Sequence, residues 1–290
     1  MKRTFIIILI VMMLVGVTAC SAPAPNAQIA ATTLPVYDFT SRLCAGTNLQ
    51  ITRVISQEIS CLHDYTLQVN QMKAIENAQL LVISGAGLED GLLPNEIRST
   101  IIDSSQGIKL SCGDNEHEHK HEHHHTNDPH IWLSPKNAKI MAANICRGLS
   151  GVYPEYAGIF SDNLTKLTHA LEKLEQHAES ELADLKCRKL VTFHDGFSYM
   201  AQAWGLELLH AVEEESGSEA SAKELISLTE LVTANQLPAI FTEKSGSASA
   251  AQIITAETGI PSYCLDMAMS GDSYFDAMYH NIRTLKEALG

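Results

Sequence analysis

The sequence predicts an α/β fold with two lobes, each built on a parallel sheet flanked by helices, and one long backbone helix that bridges them. Short apolar runs alternate with longer helical stretches along the chain, and this alternation is typical of β-α-β units with parallel strands. Two such sets lie on either side of the strongest helical pattern, residues 155–186. The length of 290 residues is enough for one large domain or two medium ones.

Four strands are predicted in each lobe, with helices between them. The strands of the first lobe are residues 29–33, 51–55, 80–84 and 107–110, and those of the second lobe are residues 189–194, 207–212, 239–243 and 262–266. The predicted helices are residues 70–78, 138–149, 221–235, 248–258 and 274–289. Because open parallel sheets bind ligands beyond the carboxyl ends of their strands, a site is expected in the crevice between the lobes.

The bridging helix is predicted from an apolar residue at every third or fourth position between 155 and 186. Neither Gly nor Pro interrupts the pattern after Gly158. At about 1.5 Å per residue a helix of that length would span roughly 48 Å, which suits a stiff spine between two lobes. Two helices with a break between them are the alternative. The expected division is a first lobe at 29–153, a linking helix at 154–186 and a second lobe at 187–290.

The N-terminus has the features of an export signal. Lys2 and Arg3 precede an almost unbroken apolar run at 5–17 that is short for a transmembrane span. Residues 17–20 (Val-Thr-Ala-Cys) resemble a bacterial lipobox. We therefore expect a signal peptide at 1–19, a lipidated Cys20, a flexible tether at 20–28 and an extracytoplasmic, membrane-anchored protein. An ordinary signal-peptidase site and an uncleaved anchor are the alternatives.

Charge and cysteine content narrow the class of protein. The net charge of −14 argues against a nucleic-acid ligand, because phosphate binding needs a basic surface. It is compatible with a cationic ligand and equally with an ordinary acidic surface. Besides Cys20 there are six cysteines at spacings that match no compact disulfide scaffold. Several are expected to be free thiols in the core.

Five candidate metal ligands lie at the ends of the predicted strands or in the loops after them. His194, Glu243 and Asp266 end strands of the second lobe, whereas His63 and His130 lie in loops of the first lobe. Imidazole and carboxylate together suit a borderline divalent cation, Zn²⁺ above all, in a tetrahedral site. A single strand-end histidine is usually just a polar group with a hydrogen-bond partner, but three in different loops favour a metal site.

An aspartate lies within two residues of each of these histidines. The three are Asp64, Asp128 and Asp195. Metal-bound histidines usually donate their second N–H to a carboxylate or carbonyl, so these aspartates are candidates for that role. Helix capping is the alternative, and for Asp195 it is the favoured one.

Six segments resemble one known family, the metal-specific solute-binding proteins of bacterial ABC transporters of the ZnuA and TroA type. The resemblance runs in order from about residue 28 to the end of the chain. The segments are residues 62–65 (Leu-His-Asp-Tyr), 85–89 (Gly-Ala-Gly-Leu-Glu), 128–133 (Asp-Pro-His-Ile-Trp-Leu), 192–197 (Thr-Phe-His-Asp-Gly-Phe), 241–244 (Phe-Thr-Glu-Lys) and 272–274 (Asp-Ser-Tyr).

The resemblance implies a function and a ligand set. It implies a monomeric lipoprotein that binds Zn²⁺ as cargo and delivers it to an ABC permease with its ATPase subunit. The implied ligands are His63, His130, His194 and Asp266, and Glu243 would orient a ligand or substitute for one. The histidine at 194 favours zinc, because members selective for manganese typically carry a carboxylate there. The chain departs from the family in having Leu62 before the first histidine.

Residues 116–125 form a separate histidine-rich tract that cannot pack into a core. We expect a mobile loop that collects zinc weakly at several sites, as in similar loops of the family; an inert solvated insertion is the alternative. Its histidines are His117, His119, His121, His123, His124 and His125.

Three other functions remain as alternatives. A manganese or iron carrier would use the same fold. A mono-zinc hydrolase would keep one coordination position open for water and use Glu243 as general base, but a fourth protein ligand at Asp266 would close that position. A surface adhesin would use the fold structurally. We expect a binding protein and not an enzyme.

Overall fold

The structure is a computed structural model that describes residues 28–290 except 60, 61, 63, 64, 95, 112–126, 213–220 and 245–247. It contains two parallel four-stranded sheets flanked by helices, with one long helix between the two sets, so the predicted fold is confirmed. Within the described residues, no helix is both long enough and apolar enough to cross a membrane.

The first sheet has the strand order β2-β1-β3-β4. Its strands are β1 (Ile29–Ala31), β2 (Ile51–Arg53), β3 (Leu80–Ile83) and β4 (Thr100–Asp103). The predicted fourth strand at 107–110 is wrong, because the edge strand forms earlier, where Ile102 is buried beneath a helix. A side chain at Gly148 of that helix would overlap Ile102, so the glycine allows the close approach that covers β4.

The second sheet has the order β6-β5-β7-β8 and contains all four predicted strands. They are β5 (Lys189–Thr192), β6 (Glu207–Ala211), β7 (Ile240–Glu243) and β8 (Ser262–Leu265). β5 and β8 end before the predicted boundaries, so His194 and Asp266 lie in the loops that follow their strands. Glu243 is the last residue of β7, as predicted.

Eight α-helices cover the sheets in the described part of the chain. The first helix, α1, was not predicted; it begins shortly after β1 with a proline in its first turn, a position where the missing N–H costs nothing. The helices are α1 (Leu34–Leu43), α2 (Val69–Asn77), α3 (Pro135–Val152), α4 (Ala157–Glu181), α5 (Ser198–Ala203), α6 (Ala222–Ala234), α7 (Ser249–Thr258) and α8 (Tyr274–Leu289).

The bridging helix α4 is unbroken but shorter than predicted. It has 25 residues, equivalent to about 37 Å, and a 3₁₀ turn at Pro154–Tyr156 precedes it. Its buried stripe includes Phe160, Leu167 and Leu174, as the periodicity predicted. The helix packs on α1 and α3 of the first lobe and on α8 of the second, so it contacts both lobes.

The cysteines that the structure describes are free thiols. Cys44 and Cys146 are buried, as expected for core thiols, Cys187 is half-buried and Cys264 is exposed. Burial raises the pKa of the Cys44 thiol to about 12, so this group stays protonated and behaves as a small apolar side chain.

Candidate metal centre

Three of the predicted site residues lie at the carboxyl edge of the second sheet. His194 follows β5, Glu243 ends β7 and Asp266 follows β8, and these strands are neighbours in the sheet. Parallel neighbours present their carboxyl ends at one edge, which is where open α/β sheets bind ligands.

His130 comes to the site from the first lobe, directly before the 3₁₀ turn Ile131–Leu133. It is 3% exposed, and Oδ1 of Asp128 lies 2.8 Å from its ring Nδ1 and accepts the His130 backbone N–H at 2.9 Å. A carboxylate at Nδ1 favours the tautomer with the proton there. The Nε2 lone pair is then available to a metal. Asp128 therefore lies where it was expected, on the ring nitrogen of His130 that would not bind the metal.

His194 lies beside His130 and has a buried carboxylate of its own. The two ring centroids are 5.4 Å apart and the rings are nearly perpendicular, at 81°. Oε2 of Glu243 lies 3.2 Å from Nδ1 of His194, and the Glu243 side chain is 1% exposed. Glu243 therefore orients His194 as Asp128 orients His130. A capping role was favoured for Asp195, but Phe197 occupies the N-cap position of α5.

Gly196 allows the two imidazoles to lie this close. A Cβ added at this glycine would lie 2.9 Å from Cδ2 of His194, 3.0 Å from Nδ1 of His130 and 2.5 Å from Cε of Met267. Ordinary carbon contacts begin near 3.5 Å, so only hydrogen fits. The role of Gly196 could not be predicted from the sequence, because the contacts that exclude a side chain come partly from the other lobe.

Asp266 is held by hydrogen bonds to both its carboxylate and its backbone. Its Oδ1 accepts the Ala268 N–H at 2.8 Å, and its Oδ2 lies 3.2 Å from Nζ of Lys244. The buried amide of Asn281 pairs with the Asp266 backbone N–H and C=O, both at 2.8 Å. Lys244, for which no role was predicted, supplies an ammonium that neutralises the carboxylate proposed to bind the cation.

Trp132 links the loop of His130 to the segment after Asp266. Its indole Nε1 donates to the Met267 carbonyl at 2.8 Å, and its ring packs edge-on against His130 with centroids 5.4 Å apart. The Tyr274 hydroxyl donates to the Trp132 carbonyl at 2.8 Å. The indole therefore holds one side of the site against the other.

Glu89 plays a structural part at the carboxyl edge of the first sheet. Its carboxylate accepts hydrogen bonds from the Thr32 hydroxyl and from the backbone N–H groups of Ser84 and Gly85, at 2.6–3.0 Å. Burial raises its pKa to about 6 against the opposing effect of these hydrogen bonds. Glu89 thus ties the residues after β1 to those after β3.

The described residues contain only part of the predicted ligand set. His63, the histidines of the tract 116–125 and Cys20 lie outside the described residues. Within the described part of the chain, no three His, Cys, Asp or Glu side chains are grouped closely enough to hold a metal ion. The structure brings His130 and His194 together and places the Glu243 carboxylate beside Nδ1 of His194. Asp266 follows β8, which is the neighbour of the strand that ends at Glu243.

Comparisons with known proteins place this geometry in a family. The family model described as ZnuA, zinc-uptake complex component A periplasmic, matches residues 29–288. The manganese ABC transporter substrate-binding lipoprotein PsaA of Streptococcus mitis is 25% identical, over 98% of this chain and 97% of the relative. The zinc-binding lipoprotein AdcA of Streptococcus pneumoniae is 27% identical over 90% of this chain, which spans 55% of that relative.

A solved structure supports the same assignment. A crystal structure of ZnuA superimposes with a TM-score of 0.79 at 26% identity, over 90% of this chain and 98% of that one. Because the family model matches nearly the whole described chain and the architecture agrees, this chain belongs to the ZnuA family of metal-uptake substrate-binding proteins.

Proposed function

We propose that this chain captures Zn²⁺ outside the cytoplasm and delivers it to an ABC importer made of a permease and an ATPase subunit. The family comprises substrate-binding components of transporters and not enzymes, and the substrate is a divalent metal ion. The observation that carries the proposal is the pair of adjacent imidazoles, His130 (buried) and His194 (14% of its side chain exposed), which come from two lobes with a carboxylate on each Nδ1.

The proposed ligands are His63, His130, His194 and Asp266. Three neutral nitrogens and one carboxylate would leave a bound Zn²⁺ site with a net charge of about +1, and four-coordinate, imidazole-rich surroundings suit zinc. Mn²⁺ prefers more oxygen ligands and a higher coordination number. The buried carboxylates at Asp128 and Glu243 support the imidazole ligands, because an acceptor at Nδ1 raises the basicity of Nε2.

The test is a chelator-competition titration of metal-free protein with Zn²⁺ and Mn²⁺. Wild type is expected to prefer zinc, His194→Glu to narrow that preference, and His194→Ala to weaken zinc binding strongly. His169→Ala is the matched control, because His169 lies on the exposed face of α4 with 65% of its side chain accessible. A wild type that prefers manganese, or a His194→Ala variant with unchanged zinc affinity, would overturn the zinc assignment.

Manganese transport is the second candidate. It is favoured by the 25% identical relative named for manganese and by the buried Glu243 beside His194, which places an additional oxygen donor near the imidazole. Rotation of Glu243 into the coordination shell would add the oxygen ligand that Mn²⁺ prefers. A Glu243→Gln variant, titrated in the same way, separates the zinc and manganese proposals. If manganese is the cargo, this variant should lose far more affinity for manganese than for zinc.

The tract 116–125 is proposed to collect zinc at several weak sites before it reaches the main one. Neutral imidazoles at this density bind zinc, and in the sequence the tract ends five residues before His130. Deletion of 116–125 should lower the number of zinc ions bound at high concentration and leave one tight site. Loss of the tight site would show that a tract histidine is a primary ligand.

Anchoring through Cys20 is proposed from the lipobox-like residues 17–20 and from the two relatives that are named lipoproteins. The chain would then act as a monomer tethered on the outer side of the membrane. Cys20→Ala should release the protein from membranes or leave an uncleaved precursor. A variant that fractionates with membranes like wild type, with no acyl adduct on the wild-type mass, would contradict the proposal.

A further inference from the structure

The segment between Asp266 and α8 belongs to the second lobe but is held by an arginine of the first. Arg53, the last residue of β2, donates from Nη2 to the Met269 carbonyl at 2.6 Å and from Nη1 to the Gly271 carbonyl at 2.7 Å. Its Nε donates to the Ile55 carbonyl at 2.7 Å, which fixes the guanidinium to its own lobe. A planar fork with all three nitrogens engaged is a rigid link between the lobes.

The held segment contains one residue in a backbone conformation that it does not favour on its own. Ala268 has φ of 56°, whereas the φ of 91° at Gly271 is one that glycine adopts readily. An alanine in the left-handed region is disfavoured, because its Cβ approaches the following carbonyl. In this conformation the Ala268 N–H donates to Oδ1 of Asp266 at 2.8 Å. The turn that orients the Asp266 carboxylate therefore needs support from outside the turn.

The first lobe also contacts the two ends of this segment. Trp132 binds the Met267 carbonyl, and Oδ2 of Asp38 accepts the Tyr274 N–H at 3.0 Å, which fixes the start of α8. Arg53 binds the carbonyls in the middle of the segment, one and three residues beyond Ala268. Trp132 therefore holds the peptide that precedes Ala268, and Arg53 holds carbonyls that follow it, so the first lobe supports the unfavoured turn on both sides.

We infer that Arg53 is a positioning residue for the metal site: by holding the carbonyls of Met269 and Gly271 it keeps the Ala268 turn in the conformation that aims Asp266 at the cation. The inference rests on the proposed function, in that Asp266 is taken as a metal ligand. It adds that zinc affinity depends on a contact between the lobes made by a residue that does not touch the metal.

The variants Arg53→Met and Arg53→Lys test this. Methionine keeps most of the aliphatic length and removes every donor, and lysine keeps the charge but cannot bind two carbonyls in a fork. Arg188→Met is the matched control, because Arg188, at the start of the second lobe, likewise donates to backbone carbonyls. These are the carbonyls of Leu182, Ala183, Trp204 and Gly205. Both methionine variants lose an arginine that binds several carbonyls, so a general loss of stability should be similar in the two.

The measurements are zinc affinity, the zinc dissociation rate and the visible absorption spectrum of the Co²⁺-loaded protein. Arg53→Met should weaken zinc binding about tenfold or more, as loss of a residue supporting a ligand does, and should raise the dissociation rate. Its Co²⁺ spectrum should change because the carboxylate is no longer held in one position. Arg53→Lys should give an intermediate affinity, and Arg188→Met should match wild type within about twofold in affinity and in spectrum.

A double-mutant cycle with Asp266→Ala separates this inference from the proposed function. If Arg53 acts through Asp266, adding Arg53→Met to Asp266→Ala should cause no further loss of zinc affinity. An equal loss in both backgrounds, or an Arg53→Met protein that binds zinc like wild type, would overturn the inference while leaving the transport function intact. If Asp266→Ala binds zinc as tightly as wild type does, Asp266 is not a ligand and the inference about Arg53 fails with it. If wild type binds no divalent metal, the proposed function and the inference both fail.

Discussion

Gly196→Ala should damage the metal site without removing any of its proposed ligands. The new Cβ would lie 2.5 Å from Cε of Met267, 2.9 Å from Cδ2 of His194 and 3.0 Å from Nδ1 of His130. The first overlap is relieved easily, because Cε is the free end of a flexible side chain. The other two involve rings that Glu243 and Asp128 hold at their Nδ1 atoms, so the imidazoles must move by several tenths of an ångström.

The size of the effect follows from these overlaps. Inserting one carbon into a well-packed site costs about 1–3 kcal/mol. Zinc–ligand distances tolerate deviations of only about 0.2 Å, so much of that strain should appear as lost metal affinity. If the whole strain of about 1–3 kcal/mol appears as lost affinity, zinc should bind about 5- to 150-fold more weakly. Metal-free protein relieves the overlap by ring displacement and should lose less stability than the zinc-loaded form.

The assay is chelator-competition titration with Zn²⁺, accompanied by thermal unfolding of the metal-free and the zinc-loaded forms. Gly158→Ala is the matched control, because a Cβ there has no heavy atom within 4 Å and the residue lies in α4. It should leave zinc affinity unchanged and should not destabilise the protein, because alanine favours the helical conformation more than glycine does. A folded Gly196→Ala protein whose zinc affinity is within twofold of wild type would refute this account of how the imidazoles are packed.

Three further predictions follow from single contacts. Asp128→Ala removes the carboxylate from Nδ1 of His130 and should lower zinc affinity about 10- to 100-fold in the same titration; unchanged affinity would contradict the orienting role. Lys244→Met removes a half-exposed ion pair with Asp266 that is worth about 0.2–1 kcal/mol. Because the ammonium competes with the metal for the Asp266 carboxylate, zinc affinity should rise by about 1.4- to 5-fold. A fall in zinc affinity would contradict this competition. The folded-state pKa of Glu89 is raised from 4.5 to about 6, so its contribution to stability is fully present below pH 4.5 and is lost as pH rises through 6. Denaturant unfolding of metal-free wild type and Glu89→Gln measures the difference between their free energies of unfolding. That difference should change by about 2 kcal/mol between pH 4.5 and 7. A difference that does not depend on pH would rule out this titration of Glu89.

Most elements of the fold could be predicted because their signals are local. The apolar stripe of α4 and the buried strands of the second sheet follow from periodicity over a few turns or a few residues. The strand β4 could not be placed, because Thr100 and Ile101 are exposed and the strand therefore shows no run of buried apolar residues. Its position depends on Gly148, which lets α3 cover Ile102, and that contact joins segments far apart in the chain.

The family resemblance, the parallel-sheet architecture and the strand ends that carry His194, Glu243 and Asp266 could be predicted from the sequence alone. These depend on residue type and on short-range pattern, which a single chain displays directly. Only the tertiary structure showed that Glu243 lies on Nδ1 of His194 and that Lys244 neutralises Asp266. It alone showed that Arg53 holds a segment 216–218 residues away. Such contacts join side chains from different strands and lobes, and no local pattern encodes which of them meet when the sheets twist and the lobes pack together.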